Sequence, residues 1–325
     1  MRALVTGGTG YLGRGLCAEL LRRGCLVDCL ARHDSSLRPE GTTFIHADIC
    51  DPQSLASISG PYDVVFHLAG LITFDRARLD ELMRVNAGGT ANMLEASRTW
   101  GVPRFVFVSS AITMGVSSSA LRPRDESSVA DEVSLETNPY LQSKLKAEEF
   151  VREAAANGLS AVMVNPTTVY GPGDFTLNSG SLIKTLLRLP AAPCGSGGCN
   201  VVDVDDAVAG IIAGWEKGVA GKRYILGGRN ISYSELYHAI IKAAGARTLV
   251  LPLPGFLRGP AALAAGVLGK IGGGRFLTAQ IVNDLFMYKY YSCGLAETDL
   301  GWRAATSLES TLNRAMEFYR KEGLL

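Results

Sequence analysis

"VTGGTGYLG", residues 5–13, follows the short apolar run "RAL" at the start of the chain. Two glycine patterns overlap in it, Gly7-x-x-Gly10-x-x-Gly13 and Gly8-x-Gly10-x-x-Gly13. The apolar run before it and the amphipathic pattern from Tyr11 to Arg23 after it read as strand, loop and helix. In that setting glycine allows a tight turn. It also lets a pyrophosphate reach the N–H groups at the helix N-terminus, where the dipole favours an anion. The spacing alone is a weak signal, but the strand–loop–helix context supplies what it lacks. Gly7, Thr9, Gly10, Tyr11, Leu12 and Gly13 are therefore candidate contacts to a dinucleotide.

Beyond this loop, strand-like runs alternate with helical patterns. "CLVDCLA", "TTFIHAD", "YDVVFHLAG", "RFVFVSS" and "SAVMVNP" read as strands, with helices over residues 79–100 and 140–157. Such alternation predicts an α/β fold with a doubly wound parallel sheet, whose ligands bind at the carboxyl ends of the strands. After Pro166 the rhythm changes. "VYGPGDFTLNSG" is turn-rich, 181–189 looks helical, and "AAPCGSGGCNVVDVDDA" reads as a hairpin-like return into another helix. "KRYILGG" adds one strand, and the rest looks mostly helical. The expected division is a nucleotide-binding domain of residues 1–165 with 200–228, and a smaller, mostly helical substrate lobe of 166–199 with 229–325.

At the end of the second strand an acidic residue would bind the ribose hydroxyls of NAD and repel a 2′-phosphate. Here Ala31 and Arg32 stand there, and a guanidinium matches phosphate, so NADP is expected over NAD. Asp48 and Ile49 follow the third strand beside the adenine. Leu68, Ala69 and Gly70 follow the fourth, where small residues let backbone approach the cofactor.

"NPYLQSKLKAEEF" carries the expected chemistry. Asn138 suits a helix cap and Pro139 the first helical position, which puts Tyr140 in the opening turn. Lys144 lies one turn further, about 5.4 Å along the same face. An ammonium beside a phenol, with the positive helix end, is expected to lower the tyrosine pKa and make Tyr140 a proton donor near neutral pH. Ser109 and Ser110 close the fifth strand, where a hydroxyl can hold a substrate oxygen.

The remaining composition excludes more than it suggests. A net charge of +1 over 325 residues gives no basic excess for nucleic acid. Seven cysteines form no C-x-x-C pair and are expected reduced, although Cys194 and Cys199 could meet across a turn. Four unclustered histidines predict no metal site. No signal peptide is expected ahead of the first strand. Residues 251–274 are apolar, but the uncharged run 259–269 between Arg258 and Lys270 is too short to span a bilayer. It reads as a packed helix or as an apolar lid. His67 reads as a packed core histidine. Asp205 or Asp206, within "VVDVDDAVAG", reads as a helix cap rather than half of an acid–base pair.

Taken together, "TGGTGYLG", "ADICD", "FHLAG", "RVNAGGTANMLEA", "FVSSA", "YLQSK", "NPTTVYGPGD" and "VVDVDDAVAG" resemble the extended short-chain dehydrogenase/reductases of the NAD-dependent epimerase/dehydratase superfamily. The resemblance implies a Rossmann fold and a catalytic triad of Ser110, Tyr140 and Lys144, with Lys144 also on the nicotinamide ribose. It implies that Pro166, Thr168 and Val169 line the nicotinamide, that Asn86 is structural, and that a cytoplasmic homodimer forms through residues 79–100 and 140–157. Asn165 before Pro166 is similar to the dihydroflavonol-4-reductase-like branch. The arginine that sugar-nucleotide enzymes carry before "NVVDVDDA" is missing. "AITMG" (111–115) departs from the usual A-x-V-Y-G, placing Thr113 and Met114 on the substrate wall. Cys293 and Gly294 stand where many relatives carry Lys-Ala. The apolar Phe256, Leu257, Leu263, Val267 and Phe276 suggest a hydrophobic ketone as substrate. The alternatives are a sugar or sugar-nucleotide epimerase/dehydratase and a non-catalytic NAD(P)-binding regulator.

Overall fold

The computed structural model describes residues 1–270 and 279–325. Its first strands are β1 (Arg2–Thr6), β2 (Leu26–Ala31), β3 (Thr43–His46), β4 (Val64–His67), β5 (Phe105–Val108) and β6 (Ala161–Pro166). Then come β7 (Thr168–Tyr170), β8 (Ala191–Cys194), β9 (Gly198–Asp203), β10 (Arg223–Leu226), β11 (Arg229–Ser232), β12 (Leu249–Pro252) and β13 (Tyr288–Lys289). Strands β1 to β6 and β10 build one parallel sheet in the order β10-β6-β5-β4-β1-β2-β3. Its central strands are apolar without alternation, and "VVF" of β4, "FVF" of β5 and "AVMV" of β6 are wholly buried. That is the signature of a sheet covered by helices on both faces. The strand order reverses beside β1, between β2 and β4, which opens the crevice in which doubly wound folds hold ligands. The fold is the Rossmann α/β architecture expected from the sequence.

The helices match their sequence patterns within a residue or two: Tyr11–Arg22, Pro139–Ala156 and Gly180–Arg188. Residues 79–99 form one helical run in which Met83–Gly88 makes a π turn. Asn86 sits in that turn, consistent with the frequent use of π turns near functional sites.

Two expectations fail in the carboxyl-terminal half. The hairpin does not form: β8 pairs in parallel with β12, while β9 pairs with β7, β11 and β13. The reason lies in the intervening glycines. Gly197 and Gly198 donate to the Leu285 and Met287 carbonyls, at 2.8 and 3.1 Å, and a Cβ on Gly195 would strike Leu285. A later segment takes the hydrogen bonds that a hairpin would have used. The remainder is mostly helical, as expected, although β11, β12 and β13 also lie in it. Finally, the cap of the helix Val204–Lys217 is Asp203, whose side chain accepts from the Asp205 amide at 2.9 Å. Asp205 and Asp206 fall in the first turn, because the helix begins at Val204, directly after β9.

All seven cysteines are free thiols, Cys194 and Cys199 included. His67 is buried between Thr6 Oγ1 (2.7 Å) and Thr90 Oγ1 (3.0 Å), and burial pulls its pKa down to about 3. It is a neutral core residue. Among the described residues no cluster of metal-ligating side chains occurs, and no helix is long and apolar enough to cross a membrane.

Candidate active site

The glycine loop is tight because no side chain would fit in it. Gly7 has φ +72°, and a Cβ there would lie 2.8 Å from the Ala69 nitrogen. A Cβ on Gly13 would run into the Gly7 carbonyl oxygen. Gly10 caps the following helix without a side-chain hydrogen bond, and no acidic residue occupies the first turn. The first N–H groups therefore face outward with no competing anion, which fits a pyrophosphate. The loop is braced from the far side. The Tyr11 hydroxyl donates to the Gly171 carbonyl at 3.1 Å, and Arg14 donates to Gly173 while stacking 4.2 Å over Phe175.

Successive strand ends border the crevice. Arg32, after β2, is exposed and makes no ion pair among the described residues. The nearby acid, Asp34, is held instead by Arg38 at 2.7 Å. After β3 the Asp48 carboxylate accepts from the Cys50 amide at 2.9 Å. Ile49 turns its side chain into the core, against Gly89. After β4 the Leu68 and Ala69 amides donate to the Thr6 carbonyl and hydroxyl, at 3.1 and 3.2 Å, and Gly70 is exposed.

Beyond β5 the hydroxyls converge. Asn138 caps the helix Pro139–Ala156 by accepting from the Leu141 amide at 3.0 Å, as expected. Tyr140 is buried, lines the same cavity as Ser110, and has the Phe74 ring edge-on at 6.0 Å. Lys144 is buried one turn on. Its ammonium donates to the Val108 carbonyl at 3.1 Å and lies 4.9 Å over the Phe107 ring. Burial pulls Lys144 down to about 8, against the pull of Glu148 in the other direction. The expected lowering of Tyr140 is not found. Burial pushes its pKa up to about 12, with only the neighbouring Ser110 side chain opposing. The ammonium binds a backbone carbonyl rather than the phenol, so desolvation wins. Asn86 fastens the neighbouring loop, accepting from the Leu71 amide (2.7 Å) and donating to the Leu71 carbonyl and Ser143 hydroxyl (3.0 and 2.9 Å).

Ser110 and Tyr140 open onto a cavity of about 200 Å³, whose other walls include Ile112, Pro166 and Thr168. Val169, expected beside them, packs into the core instead. Thr113 and Met114 do not reach this wall. Both are fully buried, Thr113 bonded to Glu148 and Met114 packed on Ile225 and Tyr291, so the departure in "AITMG" alters the core behind the site. Cys293 packs against the same group. Phe256, Leu257 and Leu263 are not in the cavity either but on the surface. The Val267 side chain and Phe276 lie outside the described residues.

A sequence profile described as the NAD dependent epimerase/dehydratase family matches residues 3–227. The chain belongs to that family. It is an enzyme of the extended short-chain dehydrogenase/reductase type, NAD(P)-dependent like its relatives. A putative dihydroflavonol 4-reductase of Synechocystis is 29% identical over 332 residues, covering 98% of this chain and 94% of the relative. A 2-alkyl-3-oxoalkanoate reductase of Stenotrophomonas maltophilia is 29% identical over 328 residues, covering 97% and 98%. Among solved structures, the UDP-glucose 4-epimerase of Thermotoga maritima superposes with a TM-score of 0.80 at 21% identity, covering 99% of both chains. That likeness is one of fold.

Within this family member two features escaped sequence reasoning. Glu148 is fully buried behind the hydroxyls. It accepts from Ser109 Oγ (2.6 Å), Thr113 Oγ1 (2.9 Å) and Asn165 Nδ2 (2.7 Å), and pairs with Arg223 at 3.2 Å. Its signal was available: Tyr140, Lys144 and Glu148 recur every four residues on one helix face. The second is Lys289, which closes the cavity and pairs with Asp284 at 3.0 Å. Burial alone would lower its pKa, but the Asp284 carboxylate outweighs this and raises it, so Lys289 stays charged. No local pattern links residue 289 to residue 140.

Proposed function

We propose that this enzyme is an NADP(H)-dependent reductase of an apolar ketone, running in reverse as a secondary-alcohol dehydrogenase. The observation that carries the reading is that the buried Tyr140 and the half-buried Ser110 line one cavity, with the Lys144 ammonium buried one helical turn from Tyr140. A bound reduced nicotinamide supplies a hydride to the carbonyl carbon. Ser110 donates a hydrogen bond to the carbonyl oxygen and orients it. Tyr140, kept protonated by its burial, gives that oxygen its proton. Lys144, still cationic below pH 8, holds positive charge under the phenol and is available to the nicotinamide ribose.

Residues 1–165 with 200–228 would hold the dinucleotide, and 166–199 with 229–325 the substrate. Gly7 to Gly13 would cradle the pyrophosphate, Arg32 the 2′-phosphate, and Asp48 the adenosine. Leu68 to Gly70, Pro166 and Thr168 would flank the nicotinamide end. The reductase names of the two curated relatives favour reduction over epimerisation. We further assign a cytoplasmic homodimer joined through the helices of residues 79–99 and 139–156, which pack on one another. The test is a turnover screen of ketones, secondary alcohols and UDP-sugars with each cofactor, followed by nicotinamide absorbance. Ketones turning over with NADPH is the expected result. Turnover of UDP-sugars alone, with NAD and no net absorbance change, would overturn it.

A further inference from the structure

The stretch from β12 to Leu263 inverts the usual rule of burial. Leu249 is 60% exposed, Phe256 79% and Leu263 72%, with Leu251 and Leu257 also on the surface. Leu189 joins them, because the Leu249 amide donates to the Pro190 carbonyl where β12 meets β8. Exposed leucines scattered singly need no explanation, but a run of them rimmed by polar residues marks an interaction site.

Charge says what covers it. The whole chain balances 32 basic against 31 acidic residues. Yet residues 236–283 contain no aspartate or glutamate while carrying Lys242, Arg247, Arg258, Lys270 and Arg275. Residues 175–202, which include β8, likewise contain no acid but carry Lys184 and Arg188. Some of these cations are engaged: Lys242 with Glu309 at 3.1 Å, and Arg258 with Asn283 at 2.9 Å. Arg188 and Arg247 are exposed and make no ion pair among the described residues. A second copy of this chain would bring the same cations against one another in a two-fold contact. A bilayer of anionic lipid offers an apolar layer beneath a negative one, in the arrangement this surface lacks. The helix Arg258–Lys270 packs on the helix Ala279–Asp284, through Ala265 against Val282 and Phe286. Asp284, at the end of that second helix, lines the cavity that Tyr140 faces. The helix that carries Leu263 thus packs on a segment whose end lines the candidate cavity.

We propose that this stretch docks the enzyme peripherally on an anionic lipid bilayer. Leu249, Leu251, Phe256 and Leu263 enter the boundary between headgroups and acyl chains, and Arg188 and Arg247 meet lipid phosphates. The proposal does not depend on the reductase reading, although an apolar ketone held in the bilayer would then lie next to the cavity wall.

Co-sedimentation of the full chain with vesicles of phosphatidylcholine, with and without phosphatidylglycerol, tests it. Binding on the order of tenfold tighter with phosphatidylglycerol is expected from two cations near the surface. Phe256→Ser combined with Leu263→Ser should abolish sedimentation with an unchanged thermal midpoint, since both side chains are exposed. Arg188→Glu combined with Arg247→Glu should erase the preference for phosphatidylglycerol. Equal recovery in the supernatant with both vesicles would overturn the proposal, as would serine variants that bind like the parent. So would serine variants that convert a larger free species into a smaller one, which would make a second copy the occupant. Because no turnover is measured, failure here leaves the reductase reading standing, and failure of the ketone screen leaves this one standing.

Discussion

Two regions of this enzyme break the burial rule in opposite directions. Around the helix Pro139–Ala156, polar groups are hidden: Tyr140, Lys144, Glu148 and Asn86 are all buried. Along residues 249–263, apolar groups are displayed. In the first region the partners are internal, since each buried charge or amide has a hydrogen bond within 3.2 Å. In the second Leu249, Leu251, Leu257, Leu263 and Phe256 are left exposed among the described residues. Hiding polar groups costs folding free energy unless they are hydrogen-bonded, and leaving apolar groups in water forgoes the gain of burying them. The first region carries its compensation with it as built-in hydrogen bonds, whereas for the second it is the proposed bilayer contact that would supply the burial.

The largest expected effect tests whether the hidden polar groups serve chemistry. Tyr140→Phe should lower kcat for ketone reduction on the order of 10²–10⁴-fold with little change in NADPH affinity, measured by steady-state kinetics and fluorescence titration. Full activity in the variant would reduce the buried cluster to a structural one and favour a cofactor-binding regulator.

Glu148→Gln sharpens the same side of the comparison. It leaves Arg223 without its buried partner and should cost about 3 kcal/mol in chemical denaturation. Reduction should fall as pH rises through about 8, where Lys144 loses its proton, and in the glutamine variant that fall should move to lower pH. Unchanged pH–rate profiles would show that Glu148 is structural alone. Stability carries the opposite sign. Between about pH 8 and the ordinary lysine value of 10.5 the unfolded chain binds a proton that the folded chain has released, so this group makes stability rise with pH across that window. Lys144→Met should remove that slope from thermal melts.

Smaller effects lie outside the cluster. Arg32→Ser should reduce the preference for NADPH over NADH by roughly 10–100-fold in kcat/KM, the range for one charge-assisted phosphate contact. An unaltered ratio would remove the argument for NADP. The smallest concerns Asp203, where alanine should cost about 1 kcal/mol as a lost cap. Its hydrogen bond from Thr311 at 2.7 Å adds to that loss, whereas Asp205→Ala should cost less. Equal losses in urea titrations would return the cap to the first turn.

Much of the candidate site was legible because its parts are local. The glycine loop, the strand ends and Tyr140-x-x-x-Lys144 each fit within one strand–helix passage, where hydrogen-bonding period and steric limits act over a few residues. What failed depended on partners far along the chain. "AAPCGSGGCN" reads as a hairpin until residues 285–287 take its amides. Lys144 reads as the tyrosine's activator until the Val108 carbonyl takes its ammonium.

By itself, then, the sequence determined the parallel sheet, the nucleotide loop and the face shared by Tyr140 and Lys144, since each follows from spacing and local backbone preference. Only the tertiary structure decided that Tyr140 is a high-pKa phenol, that Glu148 and Arg223 lie behind the hydroxyls, and that Lys289 shares the cavity with Tyr140. Those outcomes turn on desolvation and on hydrogen bonds between segments tens to over a hundred residues apart, and these exist only once the chain has closed on itself.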